Sequence, residues 1–141
     1  MIKAPNFTLA SVDAKTNWSL DDASKKVTML TFWTSWCPDS QKDLVAKQAL
    51  FESMATSNEL EMIMIHVTGR DPGIHLTEFL KKQRFTFPVY QDEGTKVYDL
   101  YRCMGVPTTV LINKDKEIAF VYHDKATIMD IMKGVSNLII S

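Results

Sequence analysis

The chain has 141 residues, 45% hydrophobic and 23% charged, with a formal charge of −1. This size suits one domain, read here as residues 1–141, whose core needs no disulfide framework or structural metal. The composition excludes disordered, collagen-like and low-complexity classes, and the even charge balance argues against a nucleic-acid or anionic-membrane surface. Lys25–Lys26 and Lys81–Lys82 read as solvated faces. The longest apolar run, Met62 to Ile65, is strand-sized and far short of the roughly 18 residues that span a bilayer. The opening MIKAPNF lacks the apolar stretch of a signal peptide, so the chain as it stands reads as cytoplasmic. Removal of a leader or anchor would make it extracytoplasmic.

The first elements are predicted as a β-hairpin: Phe7 to Leu9 and Asn17 to Leu20 bracket a polar turn around Asp13–Lys15. The sequons at Asn6 and Asn17 read as chance matches. Val27 to Trp33 is apolar or β-branched on both alternating faces, the pattern of a strand covered on both sides, and Leu60 to Val67 repeats it. Between them, Pro38 in a first turn and acidic Asp39 and Asp43 near the positive end predict a helix. Its inward stripe is predicted as Leu44, Leu50, Phe51, Met54 and Ala55. A helix over Ile74–Arg84 follows, then a short strand from Phe87 to Tyr90, where Pro88 marks a strand start or an edge. Thr95 to Tyr101 is a short helix, and Pro107–Ile112 and Ile118–Tyr122 form a hairpin around Asn113–Lys116. A last helix covers about Ala126 to Leu138. This alternation predicts an α/β fold with a mixed sheet between helices.

Cys37 is the first chemical candidate. It follows a buried strand and precedes Pro38, so it caps a helix whose free N–H groups and dipole favour a thiolate. Phe32-Trp33-Thr34-Ser35-Trp36-Cys37-Pro38-Asp39-Ser40 resembles the F-W-x-x-W-C-x-x-C site of thioredoxin-like proteins, most closely the TlpA/ResA-like disulfide reductases. Ala4-Pro5-Asn6-Phe7-Thr8-Leu9 is similar to that family's A-P-x-F-x-L opening. Val106-Pro107-Thr108-Thr109-Val110-Leu111-Ile112-Asn113 looks like its cis-proline loop and following strand. The resemblance runs from Ala4 to about Val121. It implies a thioredoxin fold, thiol–disulfide exchange at Cys37, and a substrate groove formed by Trp36, Pro38, Val106 and Pro107. Protein or low-molecular-weight thiols and disulfides are the expected partners, and neither an organic cofactor nor a metal is implied.

The chain departs from this pattern at Ser40, where the family has its second cysteine. A serine hydroxyl is too weak an acid to resolve a mixed disulfide, so Ser40 either donates a hydrogen bond to the Cys37 thiolate or is an ordinary first-turn residue. Cys103, four residues before Pro107, is a candidate resolving thiol or a small core residue. Asp71 falls near the family's acidic residue after the third strand, allowing for an extra residue in Thr68–Arg70. Either it exchanges protons with sulfur or it forms an Asp-Pro turn. His66, His75 and His123 show no metal-ligand spacing with the cysteines. His66 ends an apolar strand, where it either lines the site or, the preferred reading, is a surface or satisfied histidine. The methionines read as core filling. Two rival functions stand beside the first. A peroxiredoxin-like thiol peroxidase fits Thr34, three residues before Cys37, but has Leu30 where a proline belongs and only Arg102 as an activating cation. A redox-inactive binding module fits Ser40 and fits Cys37 poorly.

Overall fold

A computed structural model describes residues 2–140. Along the chain come β1 (Ile2–Lys3), the hairpin strands β2 (Thr8–Ala10) and β3 (Asn17–Ser19), β4 (Val27–Trp33), α1 (Pro38–Ser53) and β5 (Leu60–His66). A 3-10 turn at Thr68–Arg70 leads to α2 (Leu76–Gln83), β6 (Val89–Gln91), α3 (Lys96–Leu100), β7 (Thr108–Ile112), β8 (Glu117–Tyr122) and α4 (Ile128–Ile140). Strands β1-β8-β7-β4-β5-β6 form a mixed sheet in that spatial order. The β4–β5 and β5–β6 pairs are parallel, while β4–β7, β7–β8 and β1–β8 are antiparallel.

The alternation of β4 explains the layers. Met29 and Trp33 point to the same side as Met62, Met64 and Leu111, and α1, α2 and α4 cover that side. Leu30 and Phe32 point to the other side with Ile63, Ile65 and Val110, under α3 and the N-terminal hairpin. Every residue of β4 is therefore buried, as its two-faced apolar pattern requires. Helices do lie on both faces, three against one, with the hairpin completing the thinner layer.

Four details depart from the sequence reading. Strand β1 pairs Ile2 with Ile118 and Lys3 with Glu117, and a two-residue strand is too short to show a period. At the far edge, Ser11 bridges Tyr90, and the Val12 N–H donates to the Val89 carbonyl at 3.2 Å. Helix α1 does not bury a simple apolar stripe: Ser40, Lys47 and Gln48 are buried with Leu44 and Leu50. Phe51 and Met54 are only half-buried, and Ala55 is exposed beyond the helix end at Ser53. Helix α2 starts two residues later than predicted and stops where Arg84 turns left-handed, φ 59°.

Candidate active site

The site lies where the loops leaving β4 and β5 meet the turn before β7. Cys37 is the extended N-cap residue of α1, with Pro38 opening the helix, and its carbonyl accepts the Gln41 N–H at 2.9 Å. Proline fits this position because its missing N–H would have had no helical partner. The Cys37 thiol, half-buried, donates to the Val106 carbonyl at 3.7 Å. Val106 and Pro107 are joined by a cis peptide bond. Two segments far apart in sequence thus meet at one sulfur. Pro38 is exposed, and Trp36, 56% exposed, stands beside it on the surface. Ser40 is completely buried, and its hydroxyl oxygen accepts the Thr34 N–H at 3.5 Å.

Asp71 reaches the same loop from the β5 side. Its carboxylate accepts the Ser35 N–H at 2.6 Å, the Ser35 hydroxyl at 3.0 Å and His66 Nε2 at 2.9 Å. It does not cap α2, whose N-cap residue is His75. The indole N–H of Trp36 donates to the Arg70 carbonyl at 2.8 Å, and Gln41 Nε2 donates to the Ser35 carbonyl at the same distance. His75 and His123 are exposed. So is Arg102, whereas Leu30 is in the core. Among the described residues no group of three or more His, Cys, Asp or Glu side chains could hold a metal ion.

Sequence reasoning missed a charged group beneath this surface. Lys47 of α1 is wholly buried, and its ammonium donates to Asp43 at 2.8 Å and to the hydroxyl of Thr109 on β7. Burial pulls the Lys47 pKa below its ordinary value, and Asp43 partly restores it. Asp43 also borders a cavity of about 220 Å³ together with Asp39, Pro107 and Asp124. An i, i+4 Asp–Lys pair is the usual mark of a solvated helix face, so the letters alone carry no warning. The usable signal was the Thr108–Thr109 pair, polar residues opening a strand that is buried throughout.

Cys103 packs in the core with Phe32, Tyr98 and Val110, and both cysteines are free thiols. Burial pushes the Cys103 thiol up to about 12 from 9.0. The folded chain therefore keeps a proton that the unfolded chain loses across that window, and stability falls as pH rises through it. The slope contributed by one such group is at most about 1.4 kcal/mol per pH unit. Urea unfolding from pH 9 to 11 should show a shallower decline for Cys103→Ala than for the original chain; identical slopes would contradict it.

A mixed sheet with a helix-starting cysteine beside a cis-proline turn defines a thioredoxin-like protein. Solved structures bear out the fold. The crystal structure of StoA from Bacillus subtilis is similar at TM-score 0.78 and 23% identity, over 92% of this chain and 95% of that one. The solution structure of a putative protein disulfide isomerase from Bacteroides thetaiotaomicron reaches TM-score 0.84 at 21% identity, over 99% of this chain and 89% of that one. The AhpC/TSA family model matches residues 2–121, and the chain belongs to that family. Among its relatives, the thiol-disulfide oxidoreductase ResA of Oceanobacillus iheyensis is 28% identical over 95% of this chain and 69% of its own length. ResA of Bacillus subtilis is 30% identical over 84% of this chain and 64% of its own length. The sporulation thiol-disulfide oxidoreductase A of Bacillus subtilis is 29% identical over 64% of this chain and 55% of its own length. The chain thus spans between about half and two-thirds of the length of these relatives. No helix among the described residues is long and apolar enough to cross a membrane.

Proposed function

We propose that this chain is a thiol-disulfide oxidoreductase acting through the single nucleophile Cys37. The observation that carries the reading is the Cys37 thiol at the start of α1, in contact with the Val106 carbonyl. The thiolate attacks one sulfur of a protein or low-molecular-weight disulfide. A new S–S bond forms to Cys37, the old one breaks, and the departing thiolate takes up a proton. Trp36, Pro38, Val106 and Pro107 frame the groove in which the substrate lies. An external thiol then attacks the mixed disulfide and returns Cys37 to the thiol form. Any compartment must provide that thiol: the cytoplasm holds one in quantity, and elsewhere a reductase partner would have to supply it.

Ser40 supports the Thr34 backbone and does not resolve the adduct. Asp71 serves by holding Ser35, since its oxygens already accept three hydrogen bonds. Cys103 is a core residue: a thiol buried and pushed up to about 12 is a poor nucleophile at neutral pH. Cys103→Ala should accordingly leave the lifetime of a Cys37 mixed disulfide unchanged while costing about 1–3 kcal/mol of stability. A longer lifetime in that variant would make Cys103 the resolving thiol. The reading as a whole is tested by intact mass spectrometry after separate exposure to oxidised glutathione and to dilute peroxide. A glutathione adduct on Cys37 is expected. Rapid sulfenic acid formation without an adduct would favour a thiol peroxidase, and no reaction with either would favour a binding module.

A further inference from the structure

We propose that His66 is a positioning residue: acting through Asp71 and Ser35, it fixes the segment that carries Trp36 and Cys37. This rests on Cys37 being the nucleophile. In the parallel pairing of β4 and β5, Trp33 lies opposite His66, so the loops that follow leave the sheet side by side. Ser35 is then held at every polar atom. Its N–H and hydroxyl donate to Asp71, and its carbonyl accepts from Gln41. Trp36 is tied to Arg70 by its indole N–H. Cys37 follows directly, so the placement of its sulfur depends on this stitching.

His66 is what keeps the Asp71 carboxylate in place. Both side chains are buried, 1% and 6% exposed, and His66 Nε2 lies 2.9 Å from Asp71 Oδ2. The carboxylate is an acceptor, which sets the Nε2–H tautomer. The other ring nitrogen, Nδ1, is buried with no hydrogen-bond partner, and the ring packs against Trp33 with centroids 4.9 Å apart. A buried unpaired nitrogen is a cost, and the inward neighbours on β5, Met62 and Met64, are apolar. An apolar residue would satisfy the strand without that cost. The polar bond gained in return goes to Asp71, whose remaining hydrogen bonds all go to the Cys37 loop.

The test compares His66→Phe, which keeps a ring and loses the donor, with His66→Gln, whose amide nitrogen stands the same number of bonds from Cα as Nε2. His66→Asn is too short to reach Asp71 and replaces the Phe variant should that one not fold. Two quantities are read for each: amide hydrogen exchange at Ser35 and Trp36, and the second-order rate of Cys37 with oxidised glutathione. In His66→Phe, exchange at Ser35 should quicken and the Cys37 rate should fall, each about tenfold, with His66→Gln restoring most of both. Adding Ser35→Ala to His66→Phe should slow Cys37 little further, since both act through one chain of bonds. Unchanged exchange at Ser35 in the Phe or Asn variant would overturn the proposal, as would equal losses in the Gln variant or fully additive losses in the double variant. If the original chain forms no glutathione adduct at all, the nucleophile reading fails, and the exchange measurement still decides whether His66 holds the loop.

Discussion

Ser40→Cys should convert a protein that depends on an external thiol to release its mixed disulfide into one that releases it unaided. Positions three apart at a helix start have Cα atoms about 5 Å apart, within the 4.4–6.8 Å range that a disulfide accepts. Position 40 is already buried in the first turn of α1 beside the Cys37 loop. Its hydroxyl accepts a single long hydrogen bond, 3.5 Å from the Thr34 nitrogen, so exchanging oxygen for sulfur costs no more than about 1 kcal/mol. Against that stands the gain of an intramolecular attack, whose effective concentration should speed release of the adduct by about 100-fold or more. The expected results are a bridge between positions 37 and 40 on oxidation, which the original chain cannot form, and insulin reduction whose turnover is no longer limited by attack of an external thiol on the adduct. A variant that folds but shows neither would mean that the first turn of α1 does not have thioredoxin-like geometry.

Asp43→Asn should be the most destabilising conservative change in α1. It removes the counter-charge of a wholly buried ammonium while leaving the shape of the site intact. Breaking one half of a buried ion pair costs about 3–5 kcal/mol, a large share of the ~5–15 kcal/mol that holds a domain together. Adding Lys47→Met should recover most of the loss, because the remaining charge is then replaced by a thioether of similar reach. The pH dependence has a definite sign. Burial holds Lys47 below its ordinary 10.5 in the folded chain, so between that lowered value and 10.5 the unfolded chain binds more protons and stability rises with pH. Removing Asp43 takes away the attraction that raises the lysine, and the window then extends further toward neutrality. The penalty of Asp43→Asn, measured by urea unfolding, should therefore be larger at pH 7 than at pH 10. A pH-independent penalty, or a double variant no better than the single, would count against a charged Lys47.

The two predictions differ in how far the sequence foretold them. Cys37, Ser40 and Pro107 were legible because their spacing lies within short motifs, and β4 and β5 were legible because strands buried on both faces leave no polar position to confuse the pattern. Lys47 was not, since a lysine four residues after an aspartate has the same letters whether the helix face meets water or Thr109. His66 and Asp71 were each singled out, but their partnership with Ser35 appears only once the parallel register sets Trp33 beside His66. The apolar stripe expected for α1 failed for the same reason: Lys47 and Gln48 find partners in Thr109 and Thr86, which distant segments bring to them, and Ser40 folds back on Thr34 of the preceding loop.

The segment from Ile2 to Val12 touches both edges of the sheet, pairing with Ile118 at one and Val89 at the other. During synthesis this segment leaves the ribosome before the rest of the sheet, and its partner on β8 is made more than a hundred residues later. At ordinary elongation rates that is a wait of roughly 6–20 s. Through that interval Phe7 and Leu9, buried in the finished core, have no completed sheet to cover and remain open to chaperones and to neighbouring chains. Closing the belt is a late step of folding, and a ribosome stalled before residue 118 would hold a chain whose first strand has nothing to pair with.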